Sequence, residues 1–215
     1  LAALGLGEGQ ARELVRIPAE RLWAVQQELS GSNPMLLGPV VDGRHIQSHP
    51  YDPVAPALSA NVPLIVGTNK DESIMFLQRG DLAAFSLDDA SLRERLKARF
   101  ADKAERILDV YRRGRPGASP ADLFVAITTG QWMWHNALVL AERKAALKAG
   151  PVFMYEFAYE SEVPVSPTVH YPLKSAHAME IAFKFDHPET NPDTGQRPER
   201  FKAARNMSAA WAAFT

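Results

Sequence analysis

The run Val62-Pro-Leu-Ile-Val-Gly67 constrains this chain more than any other feature. It carries no polar side chain, which predicts a strand buried on both faces, as in a parallel sheet. A second run, Val152-Phe-Met-Tyr-Glu-Phe-Ala-Tyr159, is rich in aromatics and bounded by Gly150-Pro151 and Pro164, and predicts a second buried strand. Helical patterning fills the space between them. The order strand, helices, strand, loop, helix describes half of an open α/β sheet, because two strands alone do not make a stable one.

Elsewhere the signals are local. Residues 8 to 30 read as two short helices, with Pro18 suited to a first helical position and Leu22, Trp23, Val25 and Leu29 at near-helical spacing. Pro39-Val-Val-Asp-Gly43 is a β-branched run closed by an Asp-Gly turn, followed by a polar, proline-bearing loop. Between 87 and 113, Leu92, Leu96, Phe100, Ile107, Leu108 and Val110 recur among many charges, predicting two amphipathic helices broken near Ala101 with a solvated charged face. Ser119-Pro-Ala-Asp122 places a cap, a first-turn proline and a first-turn acid together, opening a helical stretch to Gly150 that Gly130 splits. A Pro/Ser/Thr-rich loop runs to about Ser175, and helix resumes at Arg200.

Composition excludes several function classes. Lys plus Arg (24) nearly balances Asp plus Glu (25) without long blocks of either sign, so a nucleic-acid partner is not expected. The absence of cysteine removes disulfides, thiolate zinc sites and cysteine nucleophiles, and fits a reducing, cytoplasmic setting. No apolar stretch is long enough for a membrane span. The chain begins at Leu1 and ends within the helical pattern Met207 to Phe214, so both ends read as cut and residues 1–215 as one part of a larger domain.

In open α/β sheets, functional side chains gather beyond the carboxyl ends of the strands. Glu72 lies five residues past the first apolar run and His177 in the loop after the second, positions from which a carboxylate and an imidazole can form an acid–base pair. A surface glutamate and a loop histidine are the alternative reading. Four blocks bear on that choice: Pro39-Val-Val-Asp-Gly43, Val62-Pro-Leu-Ile-Val-Gly-Thr-Asn-Lys-Asp-Glu72, Met154-Tyr-Glu-Phe157 and Ala176-His-Ala-Met-Glu-Ile-Ala-Phe-Lys-Phe185. In this order they resemble the type-B carboxylesterases, the α/β-hydrolase family that includes para-nitrobenzyl esterases and cholinesterases.

That resemblance implies part of an α/β-hydrolase fold, an open, mostly parallel sheet flanked by helices, without its N-terminal half. It also implies a carboxylic-ester hydrolase in which Glu72 is the triad acid and His177 the general base, acting on a small-molecule ester. Met75 and Phe76, just after the acid, and Met35 and Leu37, before Pro39, are implied to line the substrate pocket, although all four also suit ordinary core. Ser73 stands where many relatives have glycine. No metal or organic cofactor is implied.

No Gly-x-Ser-x-Gly elbow and no Gly-Gly-rich segment for an oxyanion hole occurs in residues 1 to 215. In the family both come earlier in the chain, so the nucleophile is expected upstream, and this segment is expected to be inactive without it. A non-catalytic binding or adhesion module is the alternative, since the family includes proteins that lost the nucleophile. His45 and His49 are four apart, but Pro50 denies them the helix that would present both to a metal, so a solvated loop is expected. Trp132, Trp134 and His135 read as helix packing with Leu138 and Leu140. Glu180, three residues after His177, is either a charge that tunes it or a cap or surface residue.

Overall fold

The computed structural model describes residues 1–31 and 38–215. The chain divides into two units, Leu1–Pro50 and Tyr51–Thr215. In the first, a 3₁₀ segment at Glu8–Arg16 precedes helix α1 (Ala19–Ser30), with Pro18 as its cap rather than its first residue. Val40 is largely exposed, and no strand forms in 39–43. The Asp42 carboxylate instead accepts the backbone N–H groups of Arg44, His45 and Ile46, and Gly43 takes the left-handed φ of 72° that closes the turn.

The second unit is built on β1 (Leu64–Asn69), followed by five helices: α2 (Ser73–Gly80), α3 (Asp89–Phe100), α4 (Ala104–Gly114), α5 (Pro120–Thr129) and α6 (His135–Ala145). Strand β2 (Val152–Phe157) returns parallel to β1, with Leu64 opposite Val152 and Asn69 opposite Phe157. Pro63 has no N–H to give, so β1 begins one residue later, where the Leu64 N–H donates to the Pro151 carbonyl at 2.9 Å. Thr68 and Asn69 extend it beyond the apolar run. Gly67 is required here: a Cβ would run into the ring of Tyr155, its partner on β2.

Burial on both faces, expected of these strands, is not found among the described residues. Phe153 is 55% exposed and Met154 37% exposed, on opposite faces of β2, and most of β1 is half-buried; the pair has no third strand among the described residues.

The expected loop before Ser175 contains an antiparallel hairpin, β3 (Ser161–Ser166) and β4 (Val169–Lys174). Its prolines, which argued against strands, sit opposite each other as Pro164 and Pro172, where the ladder is irregular. Two further helices follow, α7 (Glu180–Lys184) and α8 (Glu199–Phe214). Val125, Phe157, Val165, Leu173, Met179 and Phe183 form one core cluster, joining the sheet pair, the hairpin and α7.

The helices obey their sequence signals closely. Chain direction changes between α3 and α4 at Ala101, which adopts φ 52°. Leu92, Leu96 and Leu108 are buried with Leu123 and Ile127 in a second core cluster. Ser119 and Asp122 form the capping box of α5: the Ser119 Oγ accepts the Asp122 N–H at 3.1 Å, and Asp122 accepts the Ser119 N–H. Gly130 does not split the stretch. It opens a π-helical turn, Gly130–Trp134, which continues into α6. At the far end of α6 the buried Lys144 donates through Nζ to the carbonyls of Ser59 and Ala60, just ahead of β1.

Candidate active site

Everything needed to bring Glu72 and His177 together lies at the carboxyl end of β1. The strand stops at Asn69, and a tight turn leads into α2, at whose N-cap position Glu72 sits, 6% exposed. There the backbone N–H of Asn69 donates to Glu72 Oε1 at 2.7 Å, bending the carboxylate back over the strand end. The other oxygen, Oε2, lies 2.6 Å from His177 Nδ1. With Nδ1 engaged by a carboxylate, the proton belongs on that nitrogen, and Nε2 is left as the basic atom.

Besides its own bond to Glu72, His177 is held in place by the residues that flank it. Ser175, fully buried, gives its hydroxyl to the Tyr159 carbonyl at 2.5 Å, while its N–H and carbonyl meet Asp71 Oδ2 at 3.3 Å and the Asp71 N–H at 3.2 Å. Two left-handed residues bracket the segment, Lys174 at φ 47° and Ala178 at φ 66°, and each carries the strain of a side chain in that region. The surrounding hydrogen bonds must hold that conformation in place.

Burial raises the Asp71 carboxyl above the ordinary range, opposed by the Ser175 N–H and by Lys174. Asp122 behaves in the opposite way. Burial works against its charge, but hydrogen bonds from Lys174, Tyr171 and Ser119 bring it down to about 2. Its Oδ1 accepts from Tyr171 Oη at 2.6 Å and from Lys174 Nζ at 2.5 Å, so one residue caps α5 and fastens the end of β4.

Phe76 lies tilted against the His177 ring with centroids 5.1 Å apart, and 5.3 Å from the Trp132 ring. Met75 lines a cavity of about 140 Å³ beside His177, with Gln78, Leu173, Met179 and Asn191. Trp132 and Trp134 are 51% and 41% exposed, so neither is the buried helix packing that the spacing implied, although Trp132 meets Phe76, and both lie in a π turn that departs from helical spacing. A larger open groove of about 530 Å³ runs between β2 and α8, but its lining includes neither Glu72 nor His177. Met35 and Leu37 lie outside the described residues. Ser73, at the start of α2, exchanges hydrogen bonds with Thr129: its N–H donates at 3.1 Å and its hydroxyl accepts at 3.2 Å.

Glu180 is not a surface charge: it accepts from Asn69 Nδ2 at 2.7 Å and pairs with Lys184 at 3.1 Å. Asn69 was not singled out from the sequence, and a buried amide at the end of a predicted strand was the signal available. His45 pairs with Asp42 at 2.7 Å, and no group of three potential metal ligands exists among the described residues. No helix among them is long and apolar enough to cross a membrane.

A profile of the carboxylesterase family matches residues 9–215. The chain belongs to that family. Among curated relatives of this carboxylesterase-family chain, the para-nitrobenzyl esterase of Bacillus subtilis is 26% identical over 191 residues, covering 86% of this chain and 36% of its own length. The fumonisin B1 esterase of Sphingopyxis macrogoltabida is 26% identical over 218 residues, covering 97% of this chain and 37% of its own. In the crystal structure of a Geobacillus stearothermophilus carboxylesterase, the superposition covers all of this chain and 43% of the neighbour, with a TM-score of 0.71 and 30% identity. A para-nitrobenzyl esterase structure at 22% identity and TM-score 0.64 shares the fold. The fold is therefore part of an α/β hydrolase, and the chain spans about a third of the length of the curated relatives it matches.

Proposed function

We propose that this segment supplies the acid and the base of a serine carboxylic-ester hydrolase, with the nucleophile and oxyanion-hole N–H groups coming from polypeptide outside residues 1–215. The single observation that carries the reading is the buried Glu72 carboxylate 2.6 Å from His177 Nδ1. His177 Nε2 takes the serine proton as the hydroxyl attacks the ester carbonyl, and returns it to the departing alcohol. Water repeats the cycle on the acyl-enzyme. Glu72 fixes the tautomer and stabilises the imidazolium.

Phe76 and Met75 are the pocket residues of this proposal, because one ring lies tilted against that of His177 and the other side chain lines the cavity beside it. Met35 and Leu37 are proposed for the same pocket from the family resemblance alone. Small esters such as nitrophenyl or nitrobenzyl carboxylates are the proposed substrate class. A non-catalytic module has no specific observation in its favour, since a binding module has no need of a buried acid aimed at a histidine.

The test is His177→Ala in the catalytically competent protein. Turnover of a para-nitrophenyl ester should fall by about 10⁴-fold or more with folding intact. Near-normal turnover would overturn the assignment. Residues 1–215 alone should show none, because acid and base have no hydroxyl to activate.

A further inference from the structure

We propose that Asn69 is a positioning residue for the acid–base pair, fixing the segment that bears His177 against the strand end that bears Glu72 and using Glu180 as its second anchor. The inference rests on the reading of Glu72 and His177 as acid and base.

Asn69 is 1% exposed and reaches both partners at once. Through its backbone it donates to Glu72 Oε1 at 2.7 Å. Through Nδ2 it donates to the carbonyl of Ala176, the residue before His177, and to Glu180 Oε2, three residues after it, both at 2.7 Å. Both side-chain partners are acceptors, so the amide has one possible orientation and both its hydrogens are used. Glu180 is itself held by Lys184, whose Nζ lies 4.9 Å from the Trp211 ring centroid. The path from Glu72 to α8 thus runs through one residue, its backbone N–H on one side and its side-chain amide on the other.

This fixes what the Glu72–His177 bond alone leaves open. A carboxylate can hold an imidazole at one nitrogen while the ring swings about that contact, and a swing of 1 Å at Nε2 is worth about 100-fold in rate. Pinning the backbone before His177 and the helix after it removes that freedom. The bent, strained segment between Lys174 and Ala178 makes the restraint necessary, because without it the left-handed Ala178 would relax.

The experiment is a double-variant cycle in the catalytically competent protein, with a para-nitrophenyl ester as probe. Asn69→Leu, which keeps the backbone N–H bond to Glu72 but has a side chain of similar size that cannot donate, and Glu180→Leu, which removes the anchor, should each lower kcat by about 10- to 100-fold with KM within twofold. Glu180→Gln keeps an acceptor for the amide and should recover most of the loss. The double variant Asn69→Leu/Glu180→Leu should be no worse than Asn69→Leu alone, since both break one linkage. If Asn69→Leu does not fold, the contrast between Glu180→Leu and Glu180→Gln carries the test. The inference is overturned if both leucine variants stay within twofold of the parent in kcat, if Gln gives no recovery, or if the losses multiply. His177→Ala separates the two readings: retained activity there removes the acid–base assignment, whereas an inactive His177→Ala beside unaffected Asn69→Leu and Glu180→Leu removes only the role of Asn69.

Discussion

Glu72 and His177 stand 105 positions apart in the sequence and 2.6 Å apart in the fold, each delivered by backbone that is hydrogen-bonded to the other's segment. The pairing is a property of two interlocked loops and not of two side chains that happen to meet.

Replacing Glu72, the proposed acid, should therefore act on rate and not on folding. In the competent protein, Glu72→Gln should keep the Asn69 N–H bond through its amide oxygen while losing the charge that stabilises the imidazolium. Turnover should fall by about 10³- to 10⁴-fold with a thermal midpoint close to the parent. Steady-state kinetics beside a melting curve checks it, and near-normal turnover would remove Glu72 from the mechanism.

Asp71 carries a cost of ionisation that depends on pH. Its carboxyl is raised in the folded state, so folding favours the protonated form, and that contribution is lost as pH rises through the folded value. Asp71→Asn should raise the melting temperature at pH 7, and the gain should shrink as the buffer is taken down towards pH 4. A gain that grows on acidification would contradict the sign.

The opposite holds for Asp122, whose folded value of about 2 lies below its unfolded one. Its contribution is present above the unfolded value near 4 and is lost as pH falls towards 2. Asp122→Ala removes a capping partner and frees Tyr171 and Lys174, so it should cost about 1 to 3 kcal/mol at pH 7, measured by denaturant titration. Below about pH 2 parent and variant should converge.

Gly67→Ala tests the sheet pair. The new methyl group meets the Tyr155 ring, and the overpacking should cost about 1 to 3 kcal/mol. Combining it with Tyr155→Ala should bring a smaller loss than the sum of the two, since the clash disappears with the ring. Strict additivity in chemical denaturation would refute the contact.

What the sequence made legible was whatever depends on near neighbours. The capping box at Ser119–Asp122 and the paired helices around Ala101 follow from spacing and cap chemistry alone. Position past a strand made Glu72 and His177 candidates but left a surface glutamate and a loop histidine open, and it was the four blocks shared with the carboxylesterases that proposed them as acid and base. The β3–β4 hairpin was hidden by Pro164 and Pro172, which read as loop until seen to face each other. Asn69 was hidden for a different reason: its role exists only through Ala176 and Glu180, more than a hundred positions away. The exposure of Trp132 and Trp134 eluded periodicity, and both lie in a π turn that departs from the period being counted.

That wide turn at Gly130–Trp134 also sets the phase of everything after it. One residue more than an α-helix would use rotates the following helix by about 100° about its axis. Ala137 and Ala141 face the interior in that phase, and Lys144 comes round to the carbonyls of Ser59 and Ala60. A one-residue deletion between 130 and 134 would leave composition and helicity almost unchanged. It would nonetheless turn the Lys144 ammonium away from the chain that enters β1, so the length of this segment is as strictly specified as any side chain in it.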